Sequence, residues 1–168
     1  TTETTSAASS SVVNMSTLSF VNLNAGAAGS IALSVRGNQQ AGALTNVILG
    51  NVQNVVTAGT LTIGASPGGA GNATTPHSLR LGAGANLLNV GTLSLGSVDR
   101  DSGQLLFDGA TGTVVLRNAA GTGAATVNIG QTAAPLTLLD IGPQAQAPLT
   151  LHWPGFWGQA GGHLQGMF

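Results

Sequence analysis

The stretch NVVTAGTLTIG at residues 54–64 is followed by a second copy, NLLNVGTLSLG, at residues 86–96. The two copies share Asn, Gly, Thr, Leu and Gly at equal positions, and most other positions keep similar chemistry. A repeat at a fixed offset is typical of proteins in which similar units stack and bury their apolar faces against one another. We therefore expect the two copies to lie in neighbouring units of a repetitive fold.

Alternation of apolar and polar residues continues along most of the chain, in short runs that end at Gly or Asn, and no window has convincing helical periodicity. The runs are residues 30–37, 46–52, 59–64, 77–82, 91–96, 103–109, 112–118, 125–130, 135–142 and 148–155. They predict an all-β protein. We favour a parallel β-helix (β-solenoid) of six or seven coils, with roughly 20–25 residues in each. A β-sandwich is the alternative, because it also consists of short strands joined by turns.

Charged residues make up only 5% of the 168 residues, whereas an ordinary soluble domain is about a quarter charged. A sandwich usually has a charged surface and large aromatic core residues, so this composition favours the β-helix. The four arginines are isolated and lysine is absent, which argues against nucleic acid as a partner. No run of about 18 apolar residues occurs, so we expect no membrane insertion. The absence of cysteine excludes disulfides and thiolate metal sites.

Composition divides the chain into three parts. Residues 1–11 are a polar, low-complexity segment, which we interpret as a flexible arm or as one that exchanges a strand with a neighbouring subunit. Residues 12–150 contain the alternating runs and form the β-solenoid-like domain. Residues 151–168 hold four of the six aromatic residues. We interpret this tail as a cap over the last coil or as an interface with another subunit.

The stretch from residue 86 to residue 130 contains GTLSLG and LRNAAGTG. It resembles the repeats of autotransporter passenger domains and of related filamentous-haemagglutinin-like exported proteins. The resemblance covers residues 44–142. It implies a right-handed parallel β-helix on the cell surface, and it carries over no catalytic residues. The chain is far shorter than a typical passenger domain of these families.

Few residues suggest chemistry, and we expect neither enzymatic activity nor a cofactor. Asp99 and Asp101 are weak candidates for a calcium site, because oxygen ligands two residues apart can share a cation. Arg100 between them opposes that interpretation. His77, His152 and His163 lack the spacing of metal-ligand motifs, and we expect each to be a surface or cap residue.

Two sequons for asparagine-linked glycosylation occur, at Asn14 and at Asn72. A sequon needs Ser or Thr two residues after the asparagine, and such triplets arise often in a chain rich in these residues. Asn72 lies in a Gly-rich segment, residues 65–76, that we interpret as a loop and not as a phosphate-binding turn.

These observations predict a structural function outside the cell or at the cell surface. The leading hypothesis is a subunit of an extracellular filament, sheath or surface layer, with copies of itself as partners, assembled head to tail. The alternative is a monomeric, adhesin-like module that recognises glycans or cell surfaces. The expected interface residues are apolar and lie near the two ends of the chain: Val12, Val13, Leu18, Phe20, Trp153, Phe156, Trp157 and Phe168.

Overall fold

The computed structural model describes residues 11–33, 45–64, 76–96, 103–129, 138–140, 149–152 and 163–165. Every regular element among them is a β-strand, so the expected all-β fold is confirmed. The strands are β1 (Ser11–Asn14), β2 (Phe20–Leu33), β3 (Thr45–Ile48), β4 (Gln53–Ile63), β5 (His77–Leu81), β6 (Ala85–Leu95), β7 (Gly103–Phe107), β8 (Thr113–Arg117), β9 (Ala125–Ile129), β10 (Leu138–Asp140), β11 (Leu149–His152) and β12 (His163–Gln165).

The strands form two sheets, and the chain passes between them repeatedly. The first sheet has the order β1-β3-β5-β7-β10-β12, and the second has the order β11-β9-β6-β4-β2, with β8 also paired to β6. Every described pair is parallel. The sandwich considered as the alternative has antiparallel sheets, which is a different pairing. We call one strand of the first sheet, with the strand or strands of the second sheet that follow it in the chain, a layer.

The two copies of the sequence repeat are neighbours in the second sheet, in the register that the sequence alignment predicts. Asn54 pairs with Asn86, and the pairing continues to Ile63 and Leu95. The spacing between layers is less regular than the repeat. Ser11 pairs with Thr45, 34 residues later, whereas Ala125 pairs with Leu149, 24 residues later. The expected 20–25 residues per layer is therefore too short for the first layers.

Strands β4 and β6 are longer than the runs at residues 59–64 and 91–96. Each has 11 residues, because NVVTA and NLLNV before the central glycine also alternate between buried and half-buried positions. Both strands end before a glycine with positive φ, 75° at Gly64 and 60° at Gly96. Only glycine adopts this left-handed conformation without steric cost, so the last residue of each repeat ends the strand.

One hydrophobic core lies between the sheets and contains side chains from both. Because side chains of a strand alternate between its two faces, register partners align into inward columns that run across the layers. One column of the second sheet consists of Ile31, Leu61, Leu93 and Val127. Leu79 and Leu105 of the first sheet belong to the same buried cluster. The small width of this core explains why Leu, Val, Ile and Ala suffice to fill it.

The turn between the sheets also stacks from layer to layer. Gly84 donates its backbone N–H to Asn51 O at 3.0 Å, and Thr113 donates to Gly84 O at 3.0 Å. The backbone in this turn is so close that a Cβ atom on Gly82 would overlap the carbonyl oxygen of Gly50. Glycine at position 82 is therefore required by the contact between layers.

We expect Gly82→Ala to lower the free energy of unfolding by more than about 2 kcal/mol, because the added methyl group forces the stacked turns apart. Gly109→Ala is the matched control, since a Cβ atom there meets nothing within 4 Å. Urea denaturation of both variants measures the difference. Equal stability of the two variants would show that the turns are not stacked this closely.

Candidate assembly interface

The first layer, residues 11–33, lies at one end of both sheets. Among the described strands, β1 pairs with β3 alone and β2 pairs with β4 alone. One side of each strand therefore presents backbone N–H and C=O groups that no described strand satisfies. Such an edge is a template for pairing with a further strand.

Apolar side chains are exposed at the same end. The exposed fraction is 60% for Val12, 48% for Val13, 48% for Leu18 and 53% for Phe20. These four are the residues near the start of the chain that the sequence singled out. Val52, which is 60% exposed, joins them because its turn stacks on the first layer, where Asn51 donates its N–H to Leu18 O at 3.0 Å. The sequence around Val52 reads as the end of an alternating run and gave no signal of this exposure.

The first layer carries no charged residue, since SVVNMSTLSFVNLNAGAAGSIAL contains no Asp, Glu, Lys or Arg. Soluble β-proteins usually protect edge strands with Lys, Pro or inward-pointing charges. Here neither charge nor proline opposes the approach of another strand. The edge is therefore chemically suited to association.

The other end of the sheets is formed by β12 and β11. The aromatic residues expected at that interface, Trp153, Phe156, Trp157 and Phe168, lie outside the described residues. The segment 1–10 also lies outside them, so the interpretation of this segment as an arm stays a prediction.

A pair of buried asparagines supports the turns behind the first layer. Asn86 Nδ2 lies 2.9, 3.0 and 3.0 Å from the carbonyl oxygens of Gly82, Gly84 and Thr113. Its Oδ1 accepts hydrogen bonds from Gly82 N at 3.1 Å and from Asn54 Nδ2 at 2.7 Å. Buried hydrogen bonds of this kind hold backbone groups that would otherwise be costly to bury. Asn86 therefore ties three successive turns together.

The asparagine column ends at the first layer. Asn54 Nδ2 donates to Gly50 O at 2.7 Å, but Asn54 Oδ1 is buried without a hydrogen-bond partner among the described residues. The register partner of Asn54 in β2 is Val21, which is 5% exposed and cannot donate. A repeat that is polar in layers two and three is thus replaced by an apolar residue in layer one.

The described residues contain little that could act chemically. Arg80 and Asp108 form one ion pair of 3.5 Å between side chains that are 37% and 38% exposed, and surface pairs of this kind contribute at most about 1 kcal/mol. Within the described ranges, no group of three or more His, Asp or Glu side chains is arranged to hold a metal ion. The calcium candidates Asp99 and Asp101 lie outside these ranges.

His77 is not the surface or cap residue that the sequence suggested. It is 1% exposed, and its Nδ1 accepts a hydrogen bond from the backbone N–H of Thr45 at 3.0 Å. Thr45 begins β3, the strand that pairs with β1. His77 therefore has a structural position close to the first layer. His152 and His163 lie in β11 and β12, at the opposite end of the sheets.

A shallow groove of about 460 Å³ lies between the turns of the third and fourth layers. Its walls contain no charged or aromatic side chain; they are Ala83, Gly84, Ala85, Ala110, Thr111, Gly112 and Thr113. Such walls offer no group for proton transfer or nucleophilic attack, and no stacking surface for a sugar.

Of the two sequons, Asn14 lies at the end of β1 and is exposed, and its Oδ1 accepts a hydrogen bond from Ser16 N at 2.9 Å. A glycan at this position would project from the first layer. Asn72 lies outside the described residues.

Comparisons with protein-family models, with curated proteins and with solved structures give no match for this chain. Within the described residues, no helix has the length and apolar character needed to cross a bilayer. The resemblance to exported repeat proteins therefore stays an expectation from the sequence.

We expect Val21→Asn to change the free energy of unfolding by less than about 1 kcal/mol, because the new amide can donate to Asn54 Oδ1 and offset the lost apolar burial. Val56→Asn, one apolar column away at 0% exposure, should cost about 3 kcal/mol, because its neighbours Leu23 and Leu88 offer no partner. Chemical denaturation compares the two variants. Equal losses would contradict the asparagine column.

Proposed function

We propose that the protein is a structural subunit of an extracellular filament, sheath or surface layer, and that it assembles head to tail with copies of itself. The observation that carries the proposal is the first layer, where two open strand edges coincide with exposed apolar side chains and no charge. Burying a half-exposed Val, Leu or Phe contributes about 1 kcal/mol per side chain, and several act together here.

The finer architecture that we propose is a parallel β-helix, in which each layer is one coil. Support comes from the alternation of the chain between two parallel sheets, from the register of the 32-residue repeat, and from the stacked turns at Gly50 and Gly82. Stacked coils contact only their neighbours, so the end coils need a cap or a partner. A β-helix therefore connects the fold directly to the proposed assembly.

The remaining parts of the proposal rest on weaker support. The location outside the cell or at its surface follows from the resemblance to exported repeat proteins and from the charge-poor composition. A catalytic role is not proposed, because the groove and the Arg80–Asp108 pair have no arrangement that performs acid–base or nucleophilic chemistry.

Electron microscopy of the purified protein without denaturant, over a range of concentrations, tests this function. We expect regular filaments or sheets from the unmodified chain. Val13→Lys should abolish them while the circular dichroism spectrum stays that of the parent, because a charge at the open edge opposes strand pairing. Ala83→Lys is the matched control: its charge is equally exposed but lies in a turn of the third layer.

Single compact particles of the unmodified chain at every concentration would overturn the proposal. They would favour the adhesin-like alternative, for which binding of the monomer to a glycan array is the direct measurement. Filaments of Val13→Lys that equal those of the parent would place the contact elsewhere on the molecule.

A further inference from the structure

The two outer strands of the first sheet are β1 and β12, and both have the same direction because every described pair in the sheet is parallel. A copy displaced along the stacking direction brings its β12 beside β1 in the polarity that the sheet already uses. A copy related by a two-fold axis brings β1 against β1, which is antiparallel. The sheet therefore distinguishes the two modes of association by strand polarity alone.

The register makes the first mode specific. One column of the first sheet is apolar in all six strands: Val13, Val47, Leu79, Leu105, Leu139 and Leu164. Leu79 and Leu105 are buried in the core, whereas Val13 at the start of the column is 48% exposed. The column thus begins with an incompletely buried residue and has another apolar residue at its last position.

We propose that β12 of a second copy adds to β1 in parallel, so that Leu164 lies opposite Val13 and His163 lies opposite Val12. This inference rests on the proposed function and names its contact. The addition satisfies the open edge of β1 and extends the apolar column from one molecule into the next. It is a heterologous contact, which leaves both distal ends free and generates an open fibre.

The contact is assigned to the first sheet only. Among the described strands, the second sheet ends at β11, which belongs to the layer before β12. A copy whose β1 lies on β12 therefore has its β2 separated from β11 by the height of one layer, about 4.8 Å more than a paired strand. Strand pairing at the junction accordingly involves β1 and β12.

The chain has no cysteine, so single introduced cysteines report on this contact without background. We would prepare Val12→Cys and His163→Cys separately, assemble each alone and as a mixture, and add a short bismaleimide reagent. Neither variant can crosslink within one molecule. We expect at least about tenfold more covalent dimer from the mixture than from either variant alone, because pairing raises the local concentration of the two thiols. The mixture of Ala83→Cys with His163→Cys is the control and should give only background.

Each other outcome overturns the inference. Dimers of Val12→Cys alone would show that two first layers meet, which closes the assembly. Filaments in the microscope without crosslinks in any mixture would place the contact elsewhere and leave the proposed function intact. Compact monomers of the unmodified chain would remove the proposed function and this contact together.

Discussion

Parallel strands in register place equal positions of successive layers directly above one another, about 4.8 Å apart. A charge at a repeated position would therefore meet a like charge in the next layer, which is destabilising. Neutral hydrogen-bonding side chains have no such conflict: Asn54 and Asn86 bond to each other, and Ser78 Oγ donates to Asn46 Oδ1 at 2.6 Å. This constraint explains why the chain is rich in Asn, Thr and Ser and poor in charge. It also explains why Arg80 lies between register partners that are neutral, Ile48 and Leu106.

The same geometry makes the ends of the stack different from its middle. Each inner layer covers the backbone and the apolar columns of its neighbours, whereas the first layer leaves one side of β1 and β2 open. The exposure of Val12, Val13 and Phe20 follows from this position and not from an unusual local sequence. Association through the end is thus the direct physical consequence of a stack that contains no charge to stop it.

The fold class and the pairing of the central strands could be predicted from the sequence, because the 32-residue repeat reports register and the period of two reports strands. The exposed end was also predictable, since Val12, Val13, Leu18 and Phe20 lie in the first alternating segment. Three features were not predictable. His77 is buried because it falls on an inward position of a strand whose face the sequence does not specify. Val52 is exposed because its turn stacks on the first layer. The change in layer spacing reflects connections of unequal length, which strand patterns do not encode.

The central claim is that the two copies of the repeat are stacked in parallel and in register. Nuclear Overhauser measurements on methyl-labelled protein test it most directly, because register partners have side chains about 5 Å apart. The account predicts cross-peaks for three pairs, Val56 with Leu88, Leu61 with Leu93, and Ile63 with Leu95. Cross-peaks that link Val56 with Leu95 and Ile63 with Leu88 would indicate antiparallel strands and would contradict it.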